Sequence, residues 1–216
     1  MEAPRSSIAS SIFDRADHWF FRAKSSLLGG IPCGKGCSRC CIGPFAITVL
    51  DVEELQRGLQ LIPVRKRKQI EEHARRQVAD IEARYPHLAT DPIVDNCPDG
   101  QIDQLVTQFA DMPCPALEND GSCGLYEFRP VTCRTMGIPF ETSGLVNGAC
   151  DIQTFIPVVR LSRSLRTEED ELAEQEARQL ERGRSRRALR GDEVLLPYGF
   201  IPESNRANWT PLEGVA

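Results

Sequence analysis

Apolar residues recur at three- and four-residue steps over residues 6–28, where Ile8, Ile12, Ala16, Trp19 or Phe20, Ala23 and Leu27 share one face. That spacing predicts an amphipathic helix, and Gly29-Gly30 supplies its stop. A second stripe, Val64, Ile70, Ala74, Val78 and Ile81, predicts a long helix to about residue 85 with Pro63 in its first turn. Between the two, Phe-Ala-Ile-Thr-Val at 45–49 reads as a short strand or extended entry, after which Asp51 is expected to cap a short helix over 52–59. Ile102, Leu105, Val106 and Phe109 predict another short helix. Residues 167–189 predict one more, opened by Thr167-Glu168-Glu169-Asp170 at the end where the helix dipole favours acids.

The remaining stretches carry neither period. These are residues 31–44, 86–99 and 114–150, and everything from Gly191 on, where Pro197, Pro202 and Pro211 suggest an irregular tail. The expected fold class is mainly α with long irregular cysteine-rich loops, with minor strand content (α+β) as the variant. Three segments follow: an N-terminal amphipathic helix (1–30), a cysteine-cluster metal-binding domain (31–155), and a C-terminal helix and tail (156–216) packed on the same domain.

The chain has 216 residues, 41% hydrophobic and 26% charged. A core can close at that length without a metal or a disulfide, so the nine cysteines need another reason. The net charge of −5 argues against a polyanion binder, and the basic run at 64–68 is soon followed by Glu71, Glu72, Asp80 and Glu82. That mixture reads as a solvated helix face, not a nucleic-acid surface. No stretch approaches the ~18 apolar residues of a membrane span, and the N-terminal stretch is broken by Asp14, Arg15, Asp17 and His18, unlike a signal peptide. The expected location is the cytoplasm, where thiols stay reduced. An odd number of cysteines there points to metal or redox chemistry, not to a disulfide framework.

Four cysteines fall within nine positions, Cys33-x3-Cys37-x2-Cys40-Cys41, in a loop relaxed by Gly34 and Gly36. A second group follows: Cys114, Cys123, Cys133 and Cys150. Eight thiols suffice for two four-sulfur sites, or for one site with supporting residues. Adjacent side chains of an extended segment point to opposite sides, so Cys40 and Cys41 are expected to serve different neighbours. Cys97 is left over and reads as a small buried hydrophobe.

Lys35, Arg39, Arg129 and Arg134 offer cations that lower the cost of gathering thiolates, with Arg129 and Arg134 as cofactor-binding candidates behind the ligands. The competing reading pairs these arginines with surface carboxylates. Tyr126 reads as a packing residue with a hydrogen-bonded hydroxyl, and Pro115 and Pro130 as turn-shapers. His18, His73 and His87 lie apart from the cysteines in sequence.

The opening C-x3-C-x2-C-C and the later C-P-x-L … C-x-x-Y-x-x-R-P-x-x-C-R block, in that order, resemble the YkgJ-type cysteine-cluster family. Leu125 stands where isoleucine is usual before Tyr126. The resemblance spans Cys33 to Cys150 and implies a zinc- or iron-chelating domain. A flagellin lysine methylase carries a similar cluster, ascribed to an iron–sulfur centre.

Sulfur-only ligation suits both zinc and iron–sulfur. Cys37-x2-Cys40 is one zinc knuckle, but no second C-x2-C follows; irregular spacing across separate loops favours an iron–sulfur cluster modestly. The Cys33, Cys37 and Cys40 spacing also equals that of radical S-adenosylmethionine enzymes, yet Arg39 replaces the usual aromatic and the chain has few strands. A metal-binding module, a cluster-dependent protein-modifying or redox enzyme, and a thiol redox switch are the competing functions. No nucleophile elbow, phosphate loop or dinucleotide fingerprint is visible, and a protein partner stays unidentified.

Overall fold

The computed structural model describes residues 11–27, 31–98, 100–138, 140–142, 145–147, 161–187 and 191–202. Helix α1 (Ile12–Ser26) starts at a capping box, in which Ser11 accepts from the Asp14 amide and the Asp14 carboxylate accepts from the Ser11 amide. The expected turn at 6–10 and the Gly29-Gly30 stop lie outside the described residues. Ile12, Ala16, Trp19 and Ala23 form the buried stripe. The helix packs against α5 (Val131–Thr135) and α6 (Arg163–Arg187). The Trp19 indole N–H donates to the Leu165 carbonyl at 2.9 Å, and Arg15 and Arg22 reach Glu171 and Glu168 of α6.

The short strand expected at 45–49 is β1 (Ala46–Thr48), and α2 (Val49–Leu61) follows it directly. Its cap is Thr48, not Asp51 as expected. Asp51 sits at the third helical position and returns the bond to the Thr48 amide at 3.0 Å. The second Asp51 oxygen accepts from the Val131 amide at 2.8 Å, so this buried carboxylate also fixes the start of α5. Helix α3 (Val64–Arg84) buries Ile70, Ala74, Val78 and Ile81, but Val64 is 56% exposed and drops out of the predicted stripe. Basic residues along it meet acids one turn away, Glu71 with Arg67 and Arg75, and Glu72 with Arg76.

The loop expected at 86–99 holds a short 3-10 turn at Pro86–Ala89, with Leu88 buried, before α4 (Gln101–Gln108). The region read as irregular over 114–150 contains α5 and a two-stranded antiparallel hairpin, β2 (Phe140–Thr142) with β3 (Leu145–Asn147). Helix α6 starts four residues before the acidic opening at Thr167.

The largest correction concerns the tail. Strand β4 (Glu193–Leu195) pairs antiparallel with β1 in the register Ala46↔Leu195, Ile47↔Val194 and Thr48↔Glu193, and α7 (Leu196–Gly199) continues from it. Val194, Leu195, Leu196, Tyr198 and Phe200 are buried in the main core with Ile47, Leu55, Leu59 and Ile81. Pro197 suits this course because it falls in the first turn of α7, where no amide donor is needed. A smaller cluster, Ile12, Trp19, Ile31, Cys33, Ile138 and Leu165 among them, joins α1 to α6. The fold is mainly α with minor strand content. Among the described residues no helix is long and apolar enough to cross a membrane.

Candidate metal centre

The first cysteine loop is shaped by short local bonds. The Cys37 amide donates to the Gly34 carbonyl at 3.0 Å and the Cys41 amide to Ser38 at 2.9 Å. Gly36 adopts φ +93°, a left-handed geometry that other residues resist. Arg39–Cys41 is a single 3-10 turn. That geometry corrects the expectation for the vicinal pair: the segment is not extended, and Cys40 and Cys41 both line one cavity.

The second block is sewn to the first. The Cys114 amide donates to the Cys41 carbonyl at 2.7 Å and the Gly43 amide to Met112 at 2.7 Å. From Cys114 the chain doubles back through the Glu118–Ser122 and Ala116–Gly124 contacts, which bring Cys123 alongside. The 3-10 turn Tyr126–Phe128 and Pro130 then deliver Cys133 on α5.

Seven thiols from four stretches therefore meet on one cavity of about 80 Å³: Cys33, Cys37, Cys40, Cys41, Cys114, Cys123 and Cys133. Cys150 lies outside the described residues. None of the eight described cysteines forms a disulfide. Among the described residues the lining holds no histidine, aspartate or glutamate. A family model described as "CxxCxxCC: Putative zinc- or iron-chelating domain" matches residues 32–151, more than half of the chain. The chain belongs to that family. No curated protein and no solved structure matches it.

Within this CxxCxxCC domain, the thiols are not equivalent. Cys33 is buried in the smaller core and its Sγ–H donates to the Gly137 carbonyl at 3.8 Å. Cys40, Cys41, Cys114, Cys123 and Cys133 lie near enough to feel one another's charge. The hydrogen bond from Cys41 lowers Cys40 to about 7, with the Arg129 charge helping against the cost of burial. Cys41, which gives that bond, is correspondingly raised. Burial pushes Cys114 up to about 12 and Cys133 well above the usual thiol value, and the neighbouring thiols add to both shifts. Burial raises Cys123 as well.

Cys97 stands apart from the cavity. It is only partly buried, with its sulfur 3.8 Å from the His87 ring nitrogen. His18 and His73 are exposed on α1 and α3.

Arg129 and Arg134 both line the cavity, and both pair with Asp17 of α1. The surface-pairing alternative fails for Arg134, whose side chain is 3% exposed. Each of its three nitrogens donates to protein: Nε to the Arg129 carbonyl at 2.8 Å, one terminal nitrogen to the Glu127 carbonyl at 2.6 Å, and the other to Asp17. Arg129 lies over the Tyr126 ring, 3.8 Å from its centroid, and donates to Asp17 at 2.7 Å. Lys35 flanks the same ring at 5.6 Å.

The domain's donor set fits a thiophilic metal centre. Among the described residues the donors at the cavity are sulfur, which suits zinc or iron and not magnesium or calcium. Among the described residues no three histidine, cysteine, aspartate or glutamate side chains stand grouped to hold a single ion; the thiols surround a space. The Arg129 Nε–H is buried without a hydrogen-bond partner. Such a group costs about 1–3 kcal/mol unless something accepts from it, and a negatively charged sulfur centre is a suitable acceptor.

Several residues at or behind the cavity wall escaped sequence reasoning. The stripe admits either Trp19 or Phe20 at one position, yet Trp19 faces the core and Phe20 lines the thiol cavity. Asp17 lies three residues before Phe20, a signal visible only once the helix face is known. Leu196 and Phe200 come from the supposed tail, where the run Val194-Leu-Leu-Pro-Tyr-Gly-Phe-Ile was the overlooked sign of a core segment.

Proposed function

We propose that the chain holds an iron–sulfur cluster in this cavity, with ligands drawn from Cys40, Cys41, Cys114, Cys123 and Cys133. The observation that carries the reading is the cavity itself: seven thiols around about 80 Å³. Four sulfurs on one zinc ion sit ~2.3 Å from it, and among the described residues no three such side chains stand grouped for a single ion, whereas a polynuclear core reaches sulfurs set further apart. When bound, a cluster of this kind supplies one-electron transfer.

The chain's own residues do the rest. Phe20, Phe45, Phe200, Leu55 and Leu125 wall the thiols with apolar surface and keep water back. Arg129 places positive charge beside thiolates that would otherwise repel. The two cysteine blocks, held together through Cys41 and Cys114, keep the sulfurs gathered before loading.

Anaerobic purification followed by iron, zinc and acid-labile sulfide analysis and an absorption spectrum tests this. Iron with sulfide and a visible charge-transfer band is the expected result. Stoichiometric zinc in a colourless protein would replace the cluster with a zinc site. Neither metal, with all thiols reactive, would overturn the metal reading altogether.

A further inference from the structure

The two arginines at the cavity are held by the same carboxylate but end in different states. Asp17 takes a bond from each. Arg134 also donates to the Arg129 and Glu127 carbonyls, pinning the 127–134 turn that leads to Cys133. Arg129 is left with Nε–H buried and unpartnered, while its side chain lines the cavity with the thiols. It has little freedom to find another acceptor. Tyr126 covers one face of the guanidinium, Asp17 holds a terminal nitrogen, and only 16% of the side chain is exposed. Buried donors are nearly always satisfied, and the cavity wall that Arg129 shares carries the cysteine sulfurs.

Asp17 lies on α1, outside the segment 32–151 that the family model matches. From these observations we infer that Arg129 Nε–H donates to a sulfur of the bound metal centre and that Asp17 is the positioning residue that sets this bond. The inference rests on the metal-centre reading above, and holds whether that centre is a cluster or zinc. A hydrogen bond to a metal-bound sulfur draws charge from it. It therefore raises the reduction potential of a cluster, and makes a zinc-bound thiolate a weaker nucleophile. Lysine in place of Arg129 keeps the charge but not the fixed fork geometry, which separates the bond from the charge.

The experiment compares full-length wild-type chain with Asp17→Asn, Arg129→Lys and the control Arg15→Ala, all purified anaerobically. Arg15 also ties α1 to its neighbour, through Glu171 of α6, but does not line the cavity. Metal and sulfide per chain are measured first, then the midpoint potential if iron is present, or the rate of alkylation by N-ethylmaleimide if zinc is. Expected are wild-type metal contents throughout, with a lower potential or a several-fold faster alkylation in Arg129→Lys, a potential or rate shifted from wild type in Asp17→Asn, and no change in Arg15→Ala. Loss of metal from a folded Arg129→Lys chain, with Arg15→Ala still loaded, would give Arg129 a role in retention and overturn the inference that it only tunes the loaded centre. Loaded variants that match wild type, or an equal shift in Arg15→Ala, would overturn this inference alone. A wild-type chain that takes up neither metal overturns the metal-centre reading and this inference with it.

Discussion

The Cys114 amide donates to the Cys41 carbonyl at 2.7 Å, which joins residues 73 positions apart. This bond belongs to the backbone, so side-chain substitutions at either cysteine leave it in place. The cavity is therefore a frame that survives loss of a single thiol, and ligand variants can be read as losses of sulfur instead of losses of fold.

On that basis Cys40→Ser, Cys114→Ser and Cys133→Ser should each lose most of the bound metal while keeping the far-UV circular dichroism of the wild type. Cys97→Ser should retain it, because that sulfur lies apart from the cavity beside His87. Metal per chain by elemental analysis decides it. Full metal in all three cavity variants would remove these cysteines from the ligand set.

Gly58 on α2 faces the Phe128 ring, and a Cβ there would lie 2.4 Å from it. Alanine usually gains up to ~1 kcal/mol over glycine inside a helix. Here overpacking, typically ~1–3 kcal/mol, wins, because Phe128 is gripped by the Tyr126–Phe128 turn and stacked under Arg57 at 4.9 Å. Gly58→Ala should therefore lower the urea midpoint and also reduce metal retention, since the strain falls on the turn between Cys123 and Cys133.

Removing the ring in Phe200→Ala should cost about 3–5 kcal/mol. Phe200 is 1% exposed, belongs to the main core and also lines the thiol cavity. Chemical denaturation of the loaded protein measures the loss. A cost below ~1 kcal/mol would mean that the β4–α7 segment does not belong to the core.

How much of this was legible in sequence depended on the range of the interaction. Helices α1, α3 and α4 announced themselves through stripes such as Ile70, Ala74, Val78 and Ile81, because helical burial repeats locally. The cysteine blocks were legible because their spacing is chemistry written in sequence. The course of Val194 to Phe200 was not, since its partner strand lies some 150 positions earlier (Ile47↔Val194) and its proline resembled a loop marker. Asp17 was equally hidden: nothing near it in sequence signals Arg129 and Arg134, more than a hundred residues away. Cys40 and Cys41 misled because alternation holds for extended backbone, and the chain there makes a 3-10 turn.

Glu176 of α6 gives a pH dependence with a definite sign. Burial raises its pKa from the ordinary 4.5 to about 7, with the charges of Asp51 and Glu193 adding and the Thr48 hydroxyl bond opposing. A carboxyl raised on folding binds more protons folded than unfolded between those values. Its contribution is thus fully present below 4.5 and is lost as pH rises through about 7. Glu176→Gln keeps an acceptor for Thr48 and removes the charge. The Tm of the variant should exceed that of wild type above pH 7 and the gap should close towards the ordinary glutamate value; a gap independent of pH would refute the assignment.

The metal-free, reduced chain offers the sharpest test of the site's electrostatics. The thiolate is the reactive form of cysteine. With Cys40 at about 7, Cys114 at about 12 and Cys133 well above the ordinary range, modification should strike Cys40 first. Its rate should rise through about 7, with Cys114 and Cys133 labelled last. The leading cause at Cys40 is the hydrogen bond from Cys41, so Cys41→Ala should move the midpoint of that rate profile upward while Arg129 still supplies part of the lowering. Peptide mapping after brief alkylation across a pH series reads the order directly. Cys114 labelled as early as Cys40 at neutral pH would mean that the sulfurs do not share the buried environment from which the metal centre is argued.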